Sequence, residues 1–207
     1  MTTTTYAVLG LLAIKPWTTY ELIQQVERTL RRVWPRAQSK LYEEPKKLVA
    51  LGYAAAEEER VGNRPRTRYT ITPAGREALA AWLAEPGAGP VLEFEQLLKI
   101  HLADSGTTDD IRANLAATLA WVHEQNEENL AAAQSYLAGE GAFPERAAIN
   151  VLMGRFLTDF YAMVDNWARW AEQTVRDWPA DPAAAEPDLA VLAETARKAE
   201  AIRDGRG

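Results

Sequence analysis

Four arginines, Arg60, Arg64, Arg66 and Arg68, fall within nine residues, on a hairpin between and within two stretches whose make-up suits β-strands: residues 53–57, and residues 67–72, which read TRYTIT. Guanidinium groups on a hairpin present fixed forks of donors to phosphate oxygens. Just upstream, Leu41, Pro45, Leu48 and Gly52 recur at the three-and-four spacing of a buried helical face. That spacing turns Ser39, Glu43, Lys46, Lys47 and Ala50 outward and puts Tyr42 on the flank. The outward face is polar and short-chained at its start and basic at its end. Such a face can meet phosphates with its lysines and base edges with its shorter polar groups.

Other chemistry finds less to work with. The chain has no cysteine, which removes disulfides, thiolate metal sites and thiol nucleophiles; that favours a reducing interior and is also compatible with other compartments, and the expected setting is cytoplasmic. Its two histidines, His101 and His123, lie on different predicted helices. His123-Glu124-x-x-Glu127 lacks the second histidine of a zinc-protease motif and the paired Glu-x-x-His of di-iron bundles. No glycine-rich phosphate loop, serine elbow or pair of carboxylates on neighbouring strands is present. Asp104, Asp109 and Asp110 suit a loop and a helix N-terminus, where the dipole favours negative charge. The expectation is no catalytic residue, no metal and no cofactor.

The elements that must position the basic residues read in order. Thr4 or Thr5 caps a first helix over residues 6–13, which Lys15-Pro16 ends. Thr18-x-x-Glu21 is a capping box opening a second helix, with Leu22, Ile23, Val26 and Leu30 apolar and Tyr20 in a first turn able to receive a phosphate. The third helix begins near Ser39, and the hairpin follows. Pro73 starts a fourth helix, whose apolar side is Leu79, Trp82 and Leu83. Residues 85–90, with two prolines and two glycines, form the clearest boundary. Beyond it only helices are predicted: a short one over residues 92–103, two long ones over about 108–137 and 144–178, a linker to 187, and a last helix, weakly tethered, over residues 188–203. Helices of about thirty residues need a partner surface, either each other or a second copy.

Net charge is −6, but unevenly spread. Residues 1–85 hold 13 Lys+Arg against 9 Asp+Glu, a net +4, whereas the remainder carries −10. A local field of that sign attracts a polyanion even on an acidic molecule. The longest early apolar run, residues 7–14, is too short to span a bilayer, and no membrane association is expected.

Three helices followed by a hairpin is the order of a winged helix, although the same order also describes any small α+β domain. The chain resembles the PadR family of bacterial transcription regulators. The resemblance rests on Tyr6-Ala-Val-Leu-Gly-Leu-Leu, Thr19-Tyr20-Glu21-Leu22, Ser39-x-x-Tyr42, Leu48-x-x-Leu51-Gly52, Gly62-Asn-Arg-Pro-Arg66 before Tyr69, and Thr72-Pro-Ala-Gly75. The series spans nearly all of residues 5–85, while the C-terminal half matches in organisation only. The resemblance implies a reading helix from Ser39 in the major groove, with Tyr20, Lys40 and Tyr42 touching backbone or base edges, and an Arg64, Arg66 and Arg68 wing in the adjacent minor groove. With Gln38, Ser39, Glu43, Lys46 and Lys47 these complete the candidate DNA-binding set. Two departures stand out. Pro45 occupies the middle of the predicted reading helix, where a kink or a break into two short turns is expected. Glu43 would either accept from a cytosine amino group or pair with Lys46 or Lys47.

The C-terminal half carries Trp121, Trp167, Trp170 and Trp178, with Phe156, Phe160 and Tyr161 on the predicted helix that holds the last three tryptophans. Aromatics at helical spacing pack as core. The resemblance adds a second reading, in which Trp121, Phe156, Phe160, Trp167 and Trp170 sandwich a flat aromatic effector near a dimer axis. The expectation is therefore a mainly α protein. It has a winged helix-turn-helix domain at residues 1–85, an α-helical dimerisation and effector domain at 91–178, and a linker with a terminal helix at 179–207. It would act as a homodimeric regulator, more often a repressor, on an inverted-repeat operator in double-stranded DNA. The alternative is a winged-helix protein-interaction module without an effector.

Overall fold

The computed structural model describes residues 1–35, 41–61 and 64–205. The chain divides into two compact units, Met1–Pro90 and Val91–Gly207.

In the first unit, α1 (Thr3–Ile14) is the central element. It packs against α2 (Thr19–Thr29), α3 (Glu44–Ala50), α4 (Pro73–Leu83) and the hairpin strand β3 (Arg64–Ile71). A helix in contact on several sides must be apolar around its circumference, and Val8, Leu9, Leu11 and Leu12 are each at most 5% exposed. Its cap is Thr2, which forms a capping box with Thr5, so the helix starts earlier than predicted and both Thr4 and Thr5 are buried within it. Trp17 turns back under α1 and donates its indole N–H to the Leu11 carbonyl at 2.8 Å. The Trp82 ring of α4 stacks on Tyr6 at 4.8 Å between centroids.

The sheet has three antiparallel strands in the order β1-β3-β2: β1 (Trp17–Thr18), β2 (Ala54–Val61) and β3. Sequence patterning missed β1, because a two-residue strand has no periodicity to read. Both hairpin strands run further toward the turn than predicted. Their register places Glu57 opposite Arg68, Glu58 opposite Thr67, Glu59 opposite Arg66 and Arg60 opposite Pro65. Because strand faces alternate, Ala54, Tyr69 and Ile71 face the core, while Glu57, Glu59, Arg66 and Arg68 share the opposite face.

In the second unit, α5 (Glu95–His101) precedes two long helices, α6 (Thr108–Leu137) and α7 (Ala147–Thr174), which pair antiparallel. The pairing is pinned along its length: Arg112 donates to the Arg176 carbonyl at 2.6 Å, Asn129 to the Thr158 hydroxyl at 2.9 Å, and Asn150 to the Tyr136 hydroxyl at 2.6 Å. One apolar cluster joins Ile111 and Leu115 to Ala168, Ala171 and Val175, and a second joins Val122 to Leu157, Tyr161 and Val164. The long helices therefore partner each other, yet Ile149, Leu152, Phe156 and Met163 of α7 stay 55–75% exposed. Helix α8 (Leu189–Arg203), capped by Asp188, has no buried residue. Among the described residues no helix is long and apolar enough to cross a membrane.

Candidate nucleic-acid interface

Pro45 decides the shape of the reading segment. It neither kinks nor breaks a long helix: α3 begins at Glu44, after a turn over residues 41–43, and Pro45 sits in its first turn, where no backbone N–H is required. The far end is set by Gly52, which adopts φ 74° while its N–H bonds the Val49 carbonyl and that of Tyr53 bonds the Leu48 carbonyl. Gly52 is thus the terminator of α3 and not a member of its buried face, as the spacing had suggested. Leu41, Pro45 and Leu48 do form that face, at no more than 2% exposure for the two leucines. Tyr42, Glu43 and Lys46 are left exposed.

Lys47 is also on the surface, but its ammonium is engaged. It lies 3.7 Å from the buried carboxylate of Glu44 and 3.3 Å from the Thr5 hydroxyl. Lys47 therefore pairs with Glu44, three positions upstream, rather than with Glu43, for which a pair with Lys46 or Lys47 was one of two expected roles. The other Glu44 oxygen is buried without a hydrogen-bond partner among the described residues. Its place in the first turn of α3 offsets part of that cost. Gln38, Ser39 and Lys40 lie outside the described residues.

The capping box at α2 forms as read. The Thr18 hydroxyl accepts from the Glu21 N–H at 3.3 Å and a Glu21 oxygen from the Thr18 N–H at 2.7 Å. Tyr20 in the same turn is 70% exposed, its hydroxyl accepting from the Gln24 amide at 2.9 Å. What the sequence reading did not foresee is that Glu21 also meets the hairpin. Arg68 places its Nε 2.6 Å from Glu59 on β2 and a terminal nitrogen 3.6 Å from Glu21. The Thr18 N–H first, then the Thr18 hydroxyl and the Arg68 charge, hold the Glu21 carboxyl below the ordinary carboxylate range. Glu59, helped by Glu21, raises the pKa of Arg68 further.

Arg68 is consequently a clamp between β3, β2 and α2 rather than a free cation on the hairpin, as the arginine count alone had implied. Arg60 and Arg66, nearer the turn, are exposed; the side chain of Arg64 lies outside the described part of the structure. The hairpin strands carry three glutamates beside the four arginines, so the positive charge is concentrated toward the turn.

The five aromatic residues expected to form one effector site separate into two places. Trp121, Phe160 and Tyr161 form an edge-to-face group, with ring centroids 5.8–6.5 Å apart, and Phe156 stacks on Phe160. Trp167 meets Phe94 edge-on at 6.0 Å, and Trp170 lies near the end of α7. Fourteen residues of helix separate Phe156 from Trp170, about 21 Å at 1.5 Å per residue. One small molecule cannot touch both within a single chain. His123, which had looked metal-friendly, faces Asp165 and Arg169 at 3.2 Å each, and no group of three metal-ligating side chains occurs among the described residues.

Residues 8–81 match the model of the transcriptional regulator PadR-like family. No curated protein matches the chain. Among solved structures, Bacillus subtilis PadR in complex with operator DNA superposes with a TM-score of 0.74 at 19% identity, over 84% of this chain and 98% of that one. The same protein in complex with p-coumaric acid gives 0.66 at 19% identity, with 84% and 98% covered. The Vibrio cholerae virulence activator AphA gives 0.57 at 20% identity, with 84% and 96% covered. At these identities the likenesses establish a shared fold along most of the chain.

Proposed function

We propose that this chain, whose residues 8–81 are a PadR-like domain of the transcriptional-regulator family, is a cytoplasmic, homodimeric regulator that binds double-stranded operator DNA. The observation that carries the reading is the exposed set Tyr20, Tyr42, Lys46, Arg60 and Arg66 on a first unit of net charge +4, in a fold also found in a complex with operator DNA. Lysine and arginine on a helix start and a hairpin supply the phosphate contacts that fix register; Tyr42 and the segment ahead of it supply base contacts. Arg68, Glu21 and Glu59 hold the hairpin at a set angle to α2 and touch no DNA. The exposed apolar stripe of α7 supports pairing with a second copy, which sets two reading segments against the halves of an inverted repeat. Response to a small aromatic molecule, by differential binding to two dimer geometries, accounts for the indole-rich second unit. Repression is the sign of action proposed, since occupancy of an operator blocks transcription without requiring a further contact.

The test is binding to the DNA immediately upstream of the protein's own gene at two salt concentrations, with and without aromatic compounds. Affinity is expected to fall steeply with salt, by a slope of about 0.9 per phosphate neutralised. Lys46→Ala is expected to weaken binding to every sequence alike, whereas Tyr42→Phe changes sequence preference. Salt-independent or absent binding would overturn the reading in favour of a protein-interaction module.

A further inference from the structure

We propose that a cleft at one end of the second unit binds a planar aromatic cation, and that it is the effector site of the regulator inferred above; the effector role rests on that reading, whereas the binding does not. The cleft has a volume of about 440 Å³ and lies between the end of α5, the start of α6, the end of α7 and the chain that follows it. That volume is within the range of small-molecule sites, roughly 300–1,000 Å³. Trp167, Trp170 and Trp178 all line it, over an apolar base that includes the buried Ile111 and Leu115. Trp170 is 45% exposed, an indole held half in solvent beside two others.

The walls are fixed before any ligand arrives. The segment after α7 is tied back to the start of α6 through the Thr108 N–H, which donates to the Ala180 carbonyl at 3.0 Å, and the Thr108 hydroxyl, which donates to the Pro179 carbonyl. Asp181 caps the next turn, placing Pro182 in the cleft wall. A preformed site loses less on binding than one that must order itself.

The charge of the lining selects among flat aromatics. Of the ionisable side chains that line the cleft, one is a carboxylate, Asp104, and one an imidazole, His101; no lysine or arginine lines it among the described residues. Indole faces attract cations through their quadrupole, the more strongly the better the cation is desolvated. Asp104 adds a Coulombic term of the same sign. An aromatic carboxylate meets the opposite: its charge faces Asp104, and no lysine or arginine among the described lining residues receives it. The cleft is thus matched to a quaternary or protonated nitrogen on a one- or two-ring aromatic, and mismatched to an acid of the p-coumaric type.

The experiment uses the full chain without DNA, at pH 8, and two bicyclic probes of similar size and opposite charge, N-methylquinolinium and 2-naphthoate. Calorimetry and tryptophan emission report binding. The expected result is saturable binding of one N-methylquinolinium per chain, about tenfold tighter than 2-naphthoate, a difference of ~1.4 kcal/mol. Asp104→Asn, at an exposed position, is expected to abolish most of that preference while leaving the melting curve unchanged. Trp170→Ala is expected to weaken binding of the cation at least about tenfold. Equal affinity for the two probes, an unchanged preference in Asp104→Asn, or no saturable binding, as when a second copy covers the cleft, each overturns the proposal. Operator binding by the same preparations separates the two readings. Loss of DNA binding with cation binding intact removes the effector role alone, and DNA binding without cation binding removes the site alone.

Discussion

Gly75 sits where the first turn of α4 presses on the chain entering β2: a Cβ there would lie 2.2 Å from the Tyr53 carbonyl oxygen and 3.0 Å from Ile71 Cγ1. That carbonyl already accepts from the Thr72 N–H at 3.0 Å, so backbone, and not a flexible side-chain tip, would have to move. Gly75→Ala is expected to cost about 1–3 kcal/mol, read as a drop in the urea midpoint. Gly10→Ala, where the new methyl meets nothing within 4 Å, is expected to be neutral or to stabilise α1 by about 0.5–1 kcal/mol. At the same scale, Glu21 links stability to pH. Its folded carboxyl titrates below its unfolded value, so its contribution is fully present above the unfolded pKa of about 4.3 and is lost as pH falls through the folded one. Asp110, held down first by the Thr107 hydroxyl, and Asp165, held down first by Arg169, act in the same direction in the second unit. Urea midpoints between pH 7 and pH 3 are expected to fall less steeply for Glu21→Gln than for the parent; superimposable slopes would remove Glu21 from the linkage. Sequence made the Thr18-Glu21 box legible, because both partners lie within one helical turn. It hid the bond to Arg68, whose position 47 residues further on is joined to Glu21 only by the sheet.

The hairpin shows at the level of elements how a count of charges differs from their arrangement. Arg66 and Arg68 lie on the same face of β3, two residues apart, yet Arg66 is exposed while Arg68 is bound to Glu59 and Glu21. The two are therefore expected to fail differently when truncated. Arg66→Ala removes a phosphate contact, so the salt slope of DNA binding falls by about 1. Arg68→Ala frees the hairpin from α2, so affinity falls while the slope is kept; Glu59→Gln reproduces this, because Arg68 loses its closest carboxylate. Salt titrations of the three variants on one operator fragment decide it, and an equal loss of slope in Arg68→Ala would return that residue to the DNA-contacting set. Element order, the hairpin and both long helices were readable from apolar periodicity and from the breaks at Pro16, Pro73 and residues 85–90. The start of α3 was not. Pro45 is compatible with a kinked interior or with a first turn, and only the burial of Leu41 and Leu48, with α3 packed on α1, selects the second.

Helix α7 carries two apolar stripes, and the second concerns the whole molecule. Leu157, Tyr161, Val164, Ala168, Ala171 and Val175, spaced by alternating fours and threes, form the seam against α6 and its flanking elements. Ile149, Phe156 and Met163 recur every seven residues on another face, with Leu152 between the first two, and are 55–75% exposed. A stripe of that length left in water is a surface shaped for another helix, and a two-fold axis would bring the same stripe of a second copy against it. Sedimentation is expected to give twice the 23.0 kDa chain mass for the parent and a single chain for the double variant Leu152→Glu, Phe156→Glu, whose side chains are outside the α6 seam and leave the unit folded by circular dichroism. The monomer is also expected to separate two parts of DNA binding. Each first unit keeps its cations and its salt-dependent attraction to any duplex, but the preference for an inverted repeat depends on two reading segments held about 34 Å apart, or a multiple of that, and disappears with the partner. A double variant that stays dimeric would place the interface elsewhere on the second unit. One that turns monomeric and still prefers the inverted repeat would detach operator symmetry from the symmetry of the protein.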